Sequence, residues 1–192
     1  MGRIQIAGSF LCLLAVMIFL DTENLCLYFL AAAAMHECGH LLAIRLCGGA
    51  VRLFRLTACG GVIRYALPRR SPGREAVIAL GGCALGGILA GAAYFLGQPL
   101  LCGASTILTL FNLLPIATLD GGRALRAAFG EGAALDLLSH FTLGLLLCVG
   151  AVVALRWHGF GLLFIGAALA LQQQMGLRLR ANRGMIETCR RI

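Results

Sequence analysis

Long apolar runs, separated by short stretches rich in polar residues, glycine and proline, dominate the hydropathy pattern of this chain. A helix of about 20 apolar residues crosses a hydrocarbon core about 30 Å thick, so each run predicts a transmembrane helix. The six predicted spans cover about residues 4–20, 25–46, 76–96, 100 into the polar cluster at 112–122, 134–155 and 160–176.

The pattern changes between the second and third runs. Short β-branched and aromatic segments at 51–57 and 62–65 flank a Gly-Gly pair, which predicts a small β-hairpin at the membrane face. The predicted fold is therefore an all-α polytopic membrane protein of about six transmembrane helices, with a membrane-associated hairpin between helices 2 and 3. We expect a single domain over residues 1–192, with a core at 4–125, additional spans at 134–176 and a basic tail at 177–192.

Composition supports a membrane protein. The chain has 192 residues, of which 60% are hydrophobic and 12% charged, and its mean hydropathy is +0.90. Soluble domains average about 45–50% apolar and about 25% charged residues. Nine cysteines stand singly without a C-x-x-C pair, which is typical of small packing residues in spans rather than of a disulfide framework.

The charge distribution predicts the orientation in the membrane. The net charge is +8, and all sixteen basic residues are arginines. Arginines precede the first span and cluster after the second, fourth and sixth, with Arg156 as the one exception. By the positive-inside rule both termini are cytoplasmic, and we expect a bacterial cytoplasmic membrane, a lipid bilayer as surroundings and no nucleic-acid partner.

Two histidines and a glutamate lie within the second run, where ionisable side chains are costly and therefore indicate function. His36 and His40 are four residues apart and share one face of a helix. Two imidazoles at this spacing can bind one metal ion, and Glu37 beside them can act on a metal-bound water. The alternative is a chance occurrence of H-E-x-x-H.

A catalytic zinc site has three protein ligands and one open position, so one ligand must come from elsewhere in the chain. Asp120 is the predicted third ligand, because it ends an apolar span and Gly121 and Gly122 permit close backbone approach. We expect one zinc ion per chain. Glu37 would take a proton from the zinc-bound water, which attacks a peptide carbonyl, and then protonate the leaving amine.

Pro115 interrupts the fourth span and is expected to kink or unwind it. Asn112 then has two possible roles. It could donate a hydrogen bond to the substrate carbonyl or the oxyanion, or it could satisfy the backbone carbonyl that proline leaves free. His140, in the fifth span, is predicted to be a packed or gating histidine rather than a ligand.

The two polar clusters together resemble the site-2 protease family of intramembrane zinc metalloproteases, peptidase family M50. Its signatures H-E-x-x-H and N-x-x-P-x-x-x-L-D-G are complete here, at residues 36–40 and 112–121. The resemblance covers about residues 4–125 and is closest to the bacterial branch that includes a sporulation protease processing a pro-sigma factor. We expect neither a CBS domain nor a PDZ domain, and the family's G-P-x-x-N appears as G-C-A-L-G at 82–86.

The resemblance implies that His36, His40 and Asp120 bind zinc and that Glu37 is the catalytic acid and base. It implies a zinc metalloendopeptidase that cuts in or near the transmembrane segment of a membrane-embedded or membrane-tethered protein, such as a pro-sigma or anti-sigma factor. The strands at 51–65 could hold an extended substrate by β-addition. The alternative is a non-proteolytic membrane protein that binds or transports metal.

Overall fold

The computed structural model describes residues 3–21, 25–57, 60–157 and 159–189. Helices within these ranges are α1 (Gly8–Leu20), α2 (Leu25–Leu46), α3 (Pro72–Phe95), α4 (Pro99–Asn112), α5 (Asp120–Phe129), α6 (Ala133–Trp157) and α7 (Gly161–Cys189). The strands are β1 (Arg3–Ile6), β2 (Ala50–Thr57) and β3 (Gly60–Ala66). Side chains of the predicted basic tail at 177–192 lie outside the described part of the chain.

Three of these helices are long and apolar enough to cross a membrane, and three shorter apolar helices accompany them. The long ones are Leu25–Leu46, Pro72–Phe95 and Ala133–Arg156. The shorter ones are Gly8–Phe19, Pro99–Asn112 and Gly161–Met175. The six apolar segments follow the six predicted spans in order, and the predicted polytopic, mainly helical membrane protein is confirmed.

The first apolar run differs from the single span predicted at 4–20. Its first residues form β1, and only the 13 residues of α1 are helical. At the usual rise per residue, α1 covers about 20 Å and β1 about 13 Å, so the two elements together supply the length of one crossing. Arg3, Ile4, Gln5 and Ile6 alternate between polar and apolar, which is the strand pattern that the hydropathy of the run concealed.

The hairpin predicted between helices 2 and 3 is present, but it belongs to a three-stranded sheet with the order β1-β2-β3. β1 pairs in parallel with β2, with Arg3 opposite Leu53, and β2 pairs antiparallel with β3. A parallel partner distant in sequence could not be inferred from the hairpin pattern. The extra strand leaves β3 as one edge of the sheet.

The sheet packs alongside α2 rather than only beyond its end. After α2 ends, the chain turns at Gly48, whose φ is +74°, and the hairpin runs back along α2. Gly61 on β3 reaches Glu37, which is nine residues, or about 14 Å, before the end of α2. Non-helical backbone at this depth is tolerated where it is packed on protein or lines a wet cavity.

Helices α2 and α3 pack against each other through glycines. A Cβ atom at Gly39 would collide with the backbone of Gly81, and a Cβ at Gly81 would lie 2.7 Å from the Gly39 carbonyl oxygen. Small residues allow this close backbone approach, which in a membrane gains packing and interhelical polar contacts. Gly39 lies between His36 and His40, so the contact sets the position of both histidines relative to α3.

Asp120 begins a helix, whereas the sequence analysis placed it at the end of the fourth span. α4 ends at Asn112, before Pro115, and residues 113–119 form a loop that leads into α5. The predicted interruption of the helix near the proline is thus observed as its termination. A Cβ at Gly121 or Gly122 would collide with backbone atoms of the loop, which agrees with the predicted close approach at these two positions.

The last two long helices hold this loop in place. Ile116 and Leu119 of the loop form an apolar cluster with Leu143 of α6 and Leu169 of α7. Ser139, 1% exposed on α6, accepts a 2.8 Å hydrogen bond from the backbone N–H of Ala117. Helices α6 and α7, which follow the signature residues in sequence, therefore help to position Asp120 at the start of α5.

The Ser139 hydroxyl also donates to the Gln173 side-chain oxygen at 3.3 Å, and Gln173 Nε2 lies 3.2 Å from His140 Nε2. His140 thus contacts α7 through Gln173, although its side chain is exposed, and its predicted packed or gating role stays a prediction. It is not among the residues that line the main cavity described below.

We expect the loops at the two ends of α3 to lie on opposite sides of the membrane, because this helix of 24 residues is about 36 Å long. Cysteine would be introduced at Arg69 or at Gln98 in a variant whose native cysteines are replaced. An impermeant thiol reagent should label Gln98→Cys in intact cells and Arg69→Cys only after the cytoplasmic side is exposed. The opposite pattern would show that the proposed orientation is inverted.

Candidate active site

Three predicted site residues from two distant segments meet in the structure. His36 Nε2 lies 2.9 Å from Asp120 Oδ2, and His40 Nε2 lies 3.0 Å from the same oxygen. The two Nε2 atoms are 3.2 Å apart. All three residues are only 6% exposed. The expected convergence of the two sequence clusters is therefore present as a compact triangle of two nitrogens and one oxygen.

This donor set fits a zinc ion. Zinc bound to histidine nitrogen and carboxylate oxygen at about 2.0–2.1 Å in a tetrahedron separates its ligand atoms by about 3.3 Å. The three observed separations are 0.1–0.4 Å shorter than this, at 2.9, 3.0 and 3.2 Å. A small outward movement of the side chains would accommodate the ion, with a fourth position left open.

Neighbouring groups orient two of the three side chains. His40 Nδ1 lies 2.8 Å from the carbonyl oxygen of Ile78 on α3. A carbonyl can only accept, so Nδ1 carries the proton and Nε2 of the neutral ring is the nitrogen available to a metal. Arg123 donates to Asp120 Oδ1 at 3.1 Å, which leaves Oδ2 directed at the histidines.

The backbone of α3 forms one wall of the triangle. A Cβ atom at Gly82 would lie 2.5 Å from His40 Nε2 and 2.7 Å from His36 Nε2. Any larger residue at this position would occupy the space where the three donor atoms converge. The glycine therefore makes room for the proposed metal ion, and not only for helix packing.

Glu37 lies beside the triangle and faces β3. Its Oε1 accepts a 3.0 Å hydrogen bond from the backbone N–H of Gly61. A Cβ at Gly61 would collide with the Glu37 carboxylate. The strand therefore fixes one oxygen of this carboxylate, and the side chain remains only half-buried at the edge of the cavity.

Asn112 lines the same cavity at the end of α4. Its Nδ2 donates to the carbonyl oxygen of Leu108 at 2.9 Å. The amide thus contacts backbone, but at Leu108 rather than at the Phe111 carbonyl considered in the sequence analysis. One amide hydrogen of Asn112 is engaged in this bond, and the second N–H can serve another acceptor.

A cavity of about 610 Å³ opens beside these groups. Its walls come from α2, β3, α3, α4, the loop before α5, α5 and α7, so residues from nearly the whole chain enclose it. Tyr65 on β3 lines it and donates from its hydroxyl to Glu75 at 2.5 Å. Burial and the Glu75 carboxylate raise the pKa of Tyr65 to about 12, so the hydroxyl stays neutral at physiological pH.

Cys83 is a residue near the site that the sequence analysis did not single out. Its Sγ, a ring nitrogen of His36 and a carboxylate oxygen of Asp120 all lie within 4.8 Å of one another, and it is 5% exposed. This group is looser than the triangle of His36, His40 and Asp120, whose donor atoms are 2.9–3.2 Å apart. One cysteine among nine in apolar runs carries no signal of such a position, which depends on the packing of α3 against α2.

Part of the chain is similar in sequence to known proteins. No protein-family model matches the chain. Fifty-seven residues, 29% of this chain, are 44% identical to the probable zinc metalloprotease EGY1, chloroplastic, of Arabidopsis thaliana. The DDT domain-containing protein PTM of the same plant is also 44% identical over 57 residues. The matched region spans only 10% of the first relative and 3% of the second.

The whole fold has a counterpart among solved structures. The site-2 protease from Methanocaldococcus jannaschii superposes with a TM-score of 0.62 and 21% sequence identity, and the match covers 86% of each chain. At this identity the likeness establishes the fold. The convergence of the two clusters and the shared architecture lead to one conclusion: this chain is a polytopic membrane protein with the site-2 protease fold.

Proposed function

We propose that this protein is an intramembrane zinc metalloprotease. The observation that carries the proposal is the buried triangle of His36, His40 and Asp120 with the Glu37 carboxylate beside it. Ionisable groups at membrane depth are costly, and this group joins a metal-ligand set to a potential proton acceptor. The site-2 protease fold and the local likeness to a probable zinc metalloprotease support the same activity.

A zinc ion bound at the triangle would act as a Lewis acid and lower the pKa of the water that it binds. Glu37 is placed to accept the proton of that water, because its carboxylate borders the same cavity and one oxygen is anchored by Gly61. The oxygen of that water would add to the peptide carbonyl carbon, and the protonated Glu37 carboxyl would then give its proton to the amine nitrogen as the C–N bond breaks, which restores the carboxylate charge. Arg123 holds Asp120 in one orientation during these steps.

The substrate is proposed to bind as an extended segment along β3. A helical substrate would hide its carbonyl groups in its own hydrogen bonds, so the segment at the cut must be unwound. β3 is an edge of the sheet, and Gly61 of this strand faces the cavity. An exposed edge can accept one more strand through backbone hydrogen bonds, which would place a peptide carbonyl beside Glu37.

We further propose that the substrate is a membrane-tethered protein, such as a pro-sigma or anti-sigma factor, in a bacterial cytoplasmic membrane with both termini in the cytoplasm. The arginine distribution supports the orientation. Co-expression of wild type or a Glu37→Gln variant with candidate single-span regulators would identify the substrate by the appearance of a shorter, released fragment.

The metal content tests the proposed ligands. We expect about one zinc per chain in detergent-purified protein, measured by elemental analysis, because the three donor atoms converge on one position. His36→Ala and Asp120→Ala should lose the metal. Cys83→Ser should retain it and serves as the matched control from the same neighbourhood. Full zinc in Asp120→Ala would show that the third ligand is a different residue.

The role of Glu37 is tested by Glu37→Gln. This variant should keep its zinc but lose cleavage of a co-expressed substrate, because an amide cannot accept the proton of the attacking water. Glu131→Gln, which makes the same change outside the cavity lining, should cleave as the wild type does. Unchanged turnover in Glu37→Gln would contradict the hydrolytic mechanism, and it would be compatible with metal binding or transport.

The two possible roles of Asn112 predict different effects of Asn112→Ala on turnover. If the side chain donates to the oxyanion, the variant should lose a factor of about 10²–10³ in turnover with zinc content unchanged. The measurement is the rate of substrate cleavage at equal protein and zinc. A rate equal to that of wild type would leave Asn112 with only its backbone contact to Leu108.

A further inference from the structure

The two proposed histidine ligands differ in the surroundings of their second ring nitrogen. His40 Nδ1 donates to the carbonyl oxygen of Ile78. His36 Nδ1 is buried and has no hydrogen-bond partner among the described residues. A metal-binding histidine nearly always donates its other N–H to an acceptor, which fixes the tautomer and the ring orientation. The Nδ1–H of His36 therefore needs a hydrogen-bond acceptor, and no described residue provides one by direct contact.

A hydroxyl oxygen lies close by, across Gly86 of α3. A Cβ atom placed at Gly86 would lie 2.5 Å from Thr109 Oγ1 on α4 and 3.9 Å from His36 Nδ1. The separation of these two polar atoms is thus no more than about 6.4 Å, the sum of the two distances. Because Gly86 has no side chain, no Cβ atom stands beside the Thr109 hydroxyl on the side of His36 Nδ1.

Thr109 shares the condition of His36. Its Oγ1 is buried without a hydrogen-bond partner in the described part of the chain, and so is Oγ of Ser105, one turn earlier on the same face of α4. Buried hydroxyl groups are rarely left unpaired, least of all at membrane depth. Two unpaired groups that face one space beside a glycine indicate that they share a hydrogen-bonded connection.

We propose that Thr109 is a positioning residue for His36, connected to it through one buried water beside Gly86. A water that makes two hydrogen bonds of about 2.8 Å bridges polar atoms up to about 5.6 Å apart. The two distances from Gly86 place Thr109 Oγ1 and His36 Nδ1 between about 1.4 and 6.4 Å apart, so one water spans most of the separations that this geometry allows. The water accepts from His36 Nδ1–H and donates to Thr109 Oγ1. Nε2 of His36 is thereby kept unprotonated and directed at Asp120 and His40.

This inference rests on the proposed metal site and assigns that site a support on α4 that neither signature cluster contains. It also explains the glycine at position 86 by a requirement other than helix packing. A methyl group at this position would contact the Thr109 hydroxyl and obstruct the path from Thr109 to His36. The effect of Thr109 acts through His36, so its first measurable consequence is metal affinity rather than the chemical step.

The test compares the zinc affinity of full-length, detergent-purified protein with that of Thr109→Val, measured by competition with a chelator that buffers free zinc. Valine keeps the shape of threonine and removes the hydroxyl. Loss of such a supporting hydrogen bond typically lowers metal affinity by about 10–100-fold. Thr109→Ser keeps the hydroxyl and should bind zinc within a few-fold of wild type. Thr106→Val makes the same change at an exposed position of α4 and should have no effect.

Equal affinities of Thr109→Val and wild type would overturn the proposal while leaving the metal site in place. An equal loss in Thr109→Val and Thr109→Ser would also overturn it, because packing rather than the hydroxyl would then be responsible. Gly86→Ala provides a second variant and should weaken zinc binding with Thr109 intact. A wild-type protein that binds no zinc would refute the proposed function itself, so the two failures are distinguishable.

Discussion

The close contact between α2 and α3 is the constraint on which the site depends. Gly39 and Gly81 bring the two backbones together at a distance that no larger residue permits. This contact places the Ile78 carbonyl against His40 and the bare backbone of Gly82 against both Nε2 atoms. In a bilayer, where apolar surface gains little by leaving lipid, such backbone approach supplies packing that larger side chains would prevent.

The second requirement is a carboxylate delivered to the histidines from 80 residues away. α4 ends before Pro115, a loop over residues 113–119 follows, and α5 begins at Asp120. The loop is held by apolar contacts to α6 and α7 and by the hydroxyl of Ser139. α6 and α7 therefore contribute to the site without supplying a proposed ligand, since they hold the loop from which Asp120 follows.

The sheet has a corresponding function on the other side of α2. It runs back along this helix to Glu37, and its edge strand borders the cavity. A polar backbone at this depth needs partners, and the Glu37 carboxylate provides one of them. The same arrangement leaves an extended edge beside the proposed proton acceptor, where an unwound substrate segment has both space and hydrogen-bonding groups.

The sequence by itself determined the membrane class, the bounds of α2 and the residues of the triangle. Transmembrane helices are recognised by their length and hydropathy, and ionisable groups within them indicate function because burying them in a bilayer is costly. The bilayer imposes both rules locally on each segment. The helical spacing of His36 and His40 is likewise a local property. The position of Asp120 after an apolar run and before two glycines indicated the third ligand, and the resemblance to a family implied the same residue, although Asp120 begins α5 rather than ending the fourth span.

Only the tertiary structure decided the rest. The parallel pairing of β1 with β2, the depth of the hairpin and the loop before α5 depend on contacts between segments far apart in the chain. Cys83 and Thr109 are ordinary residues of apolar helices in the sequence, and they acquire meaning only because α3 and α4 pack beside His36. A short apolar segment is compatible with several partners, and packing selects among them, so no local pattern could have specified these neighbours.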